Sequence, residues 1–97
     1  MPCFVYILKC SDGSYYTGST KDIDARIYQH QIGKGSNYTK SRLPVELVYT
    51  EEYDRIDEAF SREKEIQGRT RKKKEALING DFNKLKKLSK SYSEIGK

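Results

Sequence analysis

The chain has 97 residues, which gives room for one domain with one hydrophobic core, so a second independently folded domain is not expected. Hydrophobic residues make up 35% of the sequence and charged residues 34%, a polar balance that is still too rich in Tyr, Ile and Leu for a disordered chain. The formal net charge of +5 favours an anionic partner, and no apolar run approaches the roughly 20 residues that would span a bilayer.

Two strands joined by a tight turn are predicted at the N-terminus. The segment Cys3–Lys9 is apolar on both faces and rich in β-branched and aromatic residues, which indicates a strand covered on both sides. The SDG sequence at 11–13 turns the chain, and Ser14–Ser19 is the predicted return strand. Cys3 and Cys10 are too far apart along one strand for a disulfide, and they lack the His-rich neighbourhood of a zinc site, so reduced thiols are expected.

The length of this turn leaves two registers open. A two-residue turn pairs Tyr6 with Ser19, which sends Tyr6 and Tyr16 to opposite faces of the sheet. A three-residue turn with Gly13 in the left-handed conformation pairs Tyr6 with Gly18, so that the two tyrosines share a face. In the second register the missing side chain of Gly18 would leave open space over one phenol, where a ligand could approach.

The middle of the chain predicts a helix, a loop and a third strand. Residues Ile23–Gln31 have a helical pattern, with Asp22 or Thr20 as the cap. The glycine-rich segment Gly33–Pro44 is predicted to be a loop, and Val45–Tyr53 a strand.

The remaining elements are helical. A helix is predicted from residue 54 or 55 to about 67, followed by a basic segment that Thr70 caps and that runs to residue 78. A short, basic amphipathic helix over about 81–90 and a frayed tail complete the prediction. The order β-β-α-β-α-α indicates one compact α+β domain spanning residues 1–97, with its core at about 3–79.

The positive charge is concentrated near the C-terminus. Residues 1–68 carry 9 Lys/Arg and 11 Asp/Glu, whereas residues 69–90 carry 9 and 2. Such a basic patch is typical of surfaces that meet phosphates, although membrane headgroups or an acidic protein would suit it as well. The N-terminus lacks the pattern of a secretory signal, so a cytoplasmic protein is expected.

The first helix carries polar residues on its inward side. Ile23 and Ile27 define that side, Arg26 lies on its flank, and His30 lies close to its centre. Two readings stay open: a snorkelling Arg with a helix-terminal His, or a functional pair that faces the sheet.

The second long helix repeats this anomaly. Its predicted apolar stripe consists of Ile56, Ala59, Phe60 and Ile66, and Glu63 falls in the middle of the stripe. Because an unpaired buried charge costs several kcal/mol, Glu63 should either pair with a cation such as Arg26 or lie at the mouth of a cleft.

Together these residues suit phosphodiester hydrolysis. A divalent ion held by the Glu63 carboxylate and waters can polarise a phosphate, as Mg²⁺ prefers. Arg26 offers bidentate stabilisation of developing charge. A Tyr or His30 can take the proton of the attacking water.

The same residues resemble the GIY-YIG nuclease domain. Phe4-Val5-Tyr6 lies where the family has its GIY triplet, and Tyr16-Thr17-Gly18 lies where it has YIG. The pattern Arg26-x-x-x-His30 resembles the family's Arg followed four residues later by His or Tyr, and Glu63 is similar to its single metal-binding Glu.

The resemblance extends from Phe4 to Ile78 and is closest to small single-domain bacterial members. The departures are Phe4 and Val5 in the first triplet and Thr17 in the second. The lysine that many members carry directly after the second triplet is also absent, since the next lysine is Lys21.

The resemblance implies a fold with a small three-stranded antiparallel sheet flanked by helices. It further implies metal-dependent cleavage of one DNA strand by water. Tyr6 or Tyr16, assisted by His30, would accept the proton. Arg26 would stabilise the scissile phosphate, and Glu63 would hold one Mg²⁺ or Mn²⁺ ion; Gly18 would shape the site.

DNA contacts are expected from the glycine-rich loop and from the basic run, although a solvated loop and a solvated helix face are the alternatives. The candidate nucleic-acid-binding residues are Lys21, Tyr38, Lys40, Arg42, Arg69, Arg71, Lys72 and Lys73. With no room for a target-selecting domain, low intrinsic specificity is expected, with a targeting protein as a partner and no membrane association.

The function predicted is therefore a monomeric DNA endonuclease of repair or recombination, acting on branched or damaged DNA. The alternative is a noncatalytic nucleic-acid-binding module that keeps the fold. A third hypothesis is a docking surface for an acidic protein. The three differ in metal-dependent cutting and in salt-sensitive DNA binding.

Overall fold

A computed structural model of the chain describes residues 2–80, which form a three-stranded antiparallel sheet flanked by helices. The sheet has the order β2-β1-β3. Its strands are β1 (Cys3–Lys9), β2 (Tyr15–Thr20) and β3 (Glu46–Tyr53). The helices are α1 (Ile23–Gln31), α2 (Asn37–Lys40), α3 (Ile56–Gln67) and α4 (Arg71–Ile78). The predicted α+β fold and element order are confirmed, and the predicted helix at 81–90 lies outside the described residues.

The structure adds one element, because the glycine-rich loop contains the single-turn helix α2. Ser36 caps it, and its side chain accepts a hydrogen bond from the Thr39 backbone N–H. The predicted caps of the neighbouring helices are present: Asp22 accepts from Ala25 at the start of α1, and Thr70 caps α4. None of the helices within 2–80 is long and apolar enough to cross a bilayer.

The central strand β1 is buried on both sides, as predicted. Val5, Tyr6, Ile7 and Leu8 are each 1% exposed or less. Because side chains alternate along a strand, Val5 and Ile7 pack against α3 and α4, whereas Tyr6 and Leu8 pack on the side of α1. These two sides of the sheet are called the α3 face and the α1 face below.

The hairpin adopts the three-residue turn. Cys10 N–H donates to the Ser14 carbonyl over 2.8 Å, and Gly13 has a φ of 84°. Tyr6 is therefore paired with Gly18, and Tyr6 and Tyr16 lie on the same face. Cys3 and Cys10 are both buried, and they form no disulfide.

An ion pair that the sequence analysis did not predict joins α3 to β3. The Arg62 guanidinium donates two hydrogen bonds of 2.8 Å to the Glu51 carboxylate on β3. Tyr49 and Tyr53 also donate to this carboxylate, so each oxygen of the partly buried group accepts one hydrogen bond from a tyrosine and one from Arg62. The next residue, Glu63, is thereby turned about 100° from Arg62, toward β2.

The prediction that Phe60 belongs to the buried apolar stripe of α3 is wrong. Ala59 and Ile66 are buried, but Phe60 is 53% exposed. Phe60 lies four residues before Lys64, which is also exposed, so these two positions share a side of α3 that faces solvent.

Candidate active site

Three aromatic rings on the α1 face form the centre of the site. Tyr6 of β1, Tyr16 of β2 and His30 of α1 have ring centroids 5.1–6.5 Å apart. The Tyr6 hydroxyl lies 2.9 Å from His30 Nε2. Tyr6 is 1% exposed and His30 is fully buried, whereas Tyr16 is partly exposed. The hairpin register and the inward side of α1 therefore bring together residues from three elements.

Two glycines make room for these rings. A Cβ atom at Gly18 would overlap the Tyr6 hydroxyl and ring, and one at Gly35 would overlap the His30 ring. The expectation that Gly18 leaves open space for a ligand is therefore wrong, because the phenol of Tyr6 itself fills that space. The absence of a side chain at Gly18 makes room for the Tyr6 ring against β2.

His30 is held at both ring nitrogens. Nε2 contacts Tyr6, and Nδ1 lies 2.8 Å from the Thr39 hydroxyl of α2. Burial lowers the pKa of His30 from 6.5 to about 4, and the neighbouring Arg26 charge acts in the same direction. The imidazole is thus neutral at pH 7 and can accept a proton. The alternative of a helix-terminal His30 that faces solvent is therefore wrong.

Arg26 is anchored beside the Tyr6 phenol rather than extended into solvent. Its guanidinium donates to the Gln29 side chain and to the Gly35 carbonyl, each over 3.1 Å. Burial raises the pKa of the Tyr6 hydroxyl above its ordinary value, the nearby Arg26 opposes this rise, and the Tyr16 and Glu63 groups add to it. Arg26 and Glu63 therefore both act on the same phenol.

Glu63 approaches the site from α3 at the edge of β2. The Ser19 hydroxyl donates to one carboxylate oxygen over 2.5 Å, and the Gln67 side-chain amide donates to the other over 2.9 Å. The alternative of an ion pair with Arg26 is not observed, and within residues 2–80 no Lys or Arg forms a salt bridge with Glu63. Glu63 is a partly buried carboxylate whose partners are neutral.

The donor set around Glu63 fits one hard divalent cation that keeps most of its waters. The Glu63 carboxylate and the Ser19 hydroxyl are oxygen ligands of the type that Mg²⁺ prefers, whereas the Gln67 amide donates its N–H to the carboxylate and orients it. Within residues 2–80 there is no cluster of three or more His, Cys, Asp or Glu side chains that would instead indicate a zinc-type cage.

The loop residues predicted to bind DNA adjoin the aromatic cluster. The ring of Tyr38 lies 5.8 Å from that of Tyr16, and the Arg42 guanidinium lies 3.8 Å above the Tyr38 ring. Asp12 holds Arg42 in place through a 3.0 Å salt bridge. The row Arg42–Tyr38–Tyr16 leads from the surface to the buried residues Tyr6 and His30. Lys21 and Lys40 are exposed.

The basic run of α4 lies on the other side of the sheet. Arg71 lies over Tyr15, whose side chain belongs to the α3 face, and it pairs with Glu75 at 3.2 Å. Arg69 pairs with Glu65 at 3.8 Å, and Lys72 and Lys73 are exposed. The structure therefore places the predicted DNA-binding residues on two separate surfaces.

Sequence reasoning missed four residues that support the site. Thr39 and Gly35 hold His30 and Arg26, and Ser19 and Gln67 hold Glu63. For Gly35 and Thr39, the concentration of glycine, serine and threonine in the segment 33–44 is a usable signal, although by itself it predicts only a loop with DNA-binding side chains.

Comparison with known proteins identifies relatives of this architecture. The model of the GIY-YIG catalytic domain family matches residues 2–76. A "UPF0213 protein" from Staphylococcus aureus strain Mu3 is 57% identical over 75 residues, which cover 77% of this chain and 92% of that protein.

Two solved structures are similar over nearly the whole chain. The solution structure of a UPF0213 protein from Bacillus halodurans is 44% identical, covers 94% of this chain and all of that one, and has a TM-score of 0.54. A solution structure of a protein from E. faecalis is 31% identical, covers 98% of this chain and 96% of that one, and has a TM-score of 0.56.

Proposed function

The chain belongs to the GIY-YIG family, and from this premise we propose that it is a divalent-metal-dependent endonuclease that hydrolyses a phosphodiester bond in one strand of DNA. The observation that carries the proposal is the buried contact between the Tyr6 hydroxyl and His30 Nε2, with the Arg26 guanidinium beside it and the Glu63 carboxylate at the neighbouring edge of β2. Phosphodiester hydrolysis requires acid–base, charge-stabilising and metal-binding groups, and these residues supply all three types around the β1–β2 hairpin.

Proton transfer is assigned to Tyr6 and His30, with the more exposed Tyr16 beside them. His30 is neutral and in contact with Tyr6, so the pair can accept a proton that leaves the attacking water. Tyr16 is less buried and adjoins both His30 and the surface loop, which suits it to border the substrate.

Stabilisation of the negative charge on the phosphate is assigned to Arg26 and to a metal ion that Glu63 would hold. Arg26 presents a fixed cation beside the phenols, where a scissile phosphate would meet it. One Mg²⁺ or Mn²⁺ ion, held by Glu63 and waters, would polarise the phosphate when bound. Ser19 and Gln67 orient the carboxylate that would hold it.

DNA is proposed to approach along the loop surface. Tyr38 and Arg42 offer an aromatic ring and a guanidinium in a row that ends at Tyr16, and both group types stack on bases. A role in repair or recombination, a targeting protein for substrate choice and a monomeric state belong to the same proposal. A cytoplasmic location also belongs to the proposal.

The test is nicking of supercoiled and branched DNA by the wild type, Glu63→Gln and Glu58→Gln. Glu58 is an exposed carboxylate on the same helix, so its variant is the matched control for lost charge. We expect the wild type and Glu58→Gln to nick with Mg²⁺ or Mn²⁺ and not with chelator, and Glu63→Gln to be inactive. Salt-sensitive DNA binding without nicking by any form would instead establish the noncatalytic binding module.

A further inference from the structure

We propose that Thr39 is a positioning residue that holds the proton of His30 on Nδ1, so that Nε2 is left to accept the hydrogen of Tyr6. The catalytic consequence rests on the proposed nuclease function, whereas the assignment of the proton does not. Neither the family match nor the names of the relatives assigns a role to this threonine.

The hydrogen-bond donors around Thr39 favour this arrangement. Its hydroxyl lies 3.3 Å from the Ser36 carbonyl oxygen, and a carbonyl oxygen can only accept. A hydroxyl has one hydrogen, so once Thr39 donates to Ser36 its oxygen is left to accept from His30 Nδ1 at 2.8 Å. If Thr39 instead donated to Nδ1, its oxygen would face the carbonyl with no hydrogen between them.

The donors around Tyr6 favour the same arrangement from the other side of the ring. The phenol is 1% exposed, and among its partners within residues 2–80 the one that can accept its hydrogen is His30 Nε2, at 2.9 Å. The guanidinium of Arg26 that approaches it is a donor with no acceptor capacity. The Tyr6 hydrogen therefore points to Nε2, because a hydrogen on Nε2 would leave the phenol's own hydrogen buried without an acceptor.

Thr39 is itself held firmly, which makes it suitable for this role. It is fully buried in α2, and its backbone N–H donates to the hydroxyl of Ser36 over 3.2 Å. The two hydroxyls are 3.0 Å apart. A chain of contacts thus runs from Tyr6 through His30 and Thr39 to Ser36, and its direction determines whether Tyr6 can pass a proton inward.

The first test is nitrogen-detected NMR of the imidazole at pH 7. His30 is the only histidine in the sequence, so its two ring nitrogens give unambiguous signals. In the wild type we expect a protonated Nδ1 and an unprotonated Nε2. A wild type with the hydrogen on Nε2 would overturn the proposal without any variant.

The variants Thr39→Val, Thr39→Ser and Thr50→Val extend the test. Valine has the shape of threonine without the acceptor, so in Thr39→Val we expect the two nitrogen signals to move toward each other as both tautomers become populated. Serine keeps the hydroxyl and should retain the wild-type tautomer. Thr50 is exposed on β3, so Thr50→Val controls for the loss of a threonine hydroxyl elsewhere. An unchanged tautomer in Thr39→Val would contradict the proposal.

Nicking kinetics then separate this proposal from the function itself. We expect Thr39→Val to lower kcat by about 10- to 100-fold with KM for DNA little changed, since the variant alters proton transfer and not the DNA-facing surface. Thr39→Ser should restore kcat. If no form of the protein nicks DNA while the tautomers behave as described, the nuclease function fails and the assignment to Thr39 stands. A changed tautomer with unchanged kcat would overturn the positioning role.

Discussion

The Tyr6 hydroxyl and His30 Nε2 are 2.9 Å apart, although 24 positions separate the two residues in the sequence. The contact joins the central strand to α1 inside the protein, where neither side chain has more than 1% exposure. It therefore contributes both to the stability of the fold and to the proton-accepting group of the proposed site, and the two contributions can be measured separately.

Stability should fall on acidification because of His30. Its pKa is about 4 in the folded protein against 6.5 as an unperturbed group, so between these values the unfolded chain binds more protons. The contribution is fully present above pH 6.5 and is lost as the pH falls through about 4, by at most about 3 kcal/mol.

The measurement is urea unfolding between pH 7 and pH 4, with His30→Gln as the comparison. The variant should be less stable at pH 7 but should lose less stability on acidification, because it lacks the titrating ring. NMR titration of the single histidine should show a midpoint well below pH 6. A midpoint near 6.5 would contradict the neutral, buried imidazole.

Gly18→Ala should disturb the site directly. The added Cβ would overlap the Tyr6 ring and hydroxyl, so the phenol must move away from His30. We expect a loss of about 1–3 kcal/mol of unfolding free energy, the usual cost of overpacking, together with loss of metal-dependent nicking. Gly68→Ala is the matched control, since its Cβ would meet nothing closer than 3.6 Å. Equal stability of the two variants would refute the close packing of Tyr6 on Gly18.

Thr17→Val should stabilise the protein. The Thr17 hydroxyl is buried on the α3 face and has no hydrogen-bond partner within residues 2–80. Valine has nearly the same shape, and removing an unsatisfied buried hydroxyl should raise the unfolding free energy by about 1 kcal/mol. Urea unfolding at pH 7 measures the change, and nicking should be unaffected. A clear loss of stability would mean that the hydroxyl has a partner, such as a buried water.

The two basic surfaces should differ in how they affect DNA binding. Arg42 adjoins the aromatic cluster on the α1 face, whereas Arg71 lies over Tyr15 on the α3 face. If DNA follows the loop surface, Arg42→Ala should weaken binding and reduce the salt dependence of log K by about one phosphate contact. Arg71→Ala should change both quantities less.

Binding titrations at several salt concentrations, in the absence of divalent metal, separate these outcomes. The two substitutions remove the same charge from a partly paired arginine, so each is the control for the other. A larger effect of Arg71→Ala would place the DNA on the α3 face and refute the proposed path along Tyr38.

Local chemistry by itself determined most of the fold. The apolar segment Cys3–Lys9 was predicted as a strand covered on both sides, Thr70 was predicted as the cap of α4, and Asp22 was one of two cap candidates for α1. These features depend on alternation and on the hydrogen-bonding capacity of single side chains, both of which are visible in the order of residues. The inward side of α1 likewise identified His30 and Arg26 as unusual before any contact was known.

Only the tertiary structure decided which partners these groups have. Both hairpin registers were compatible with the sequence, and the packing of Tyr6 over Gly18 distinguishes them. Helical periodicity gave Phe60 and Glu63 an inward position, but in the docked helix Arg62 pairs with Glu51, Glu63 lies against β2 and Phe60 is exposed. Contacts such as these join residues far apart in the chain, and their geometry depends on how separate elements dock, which no local pattern encodes.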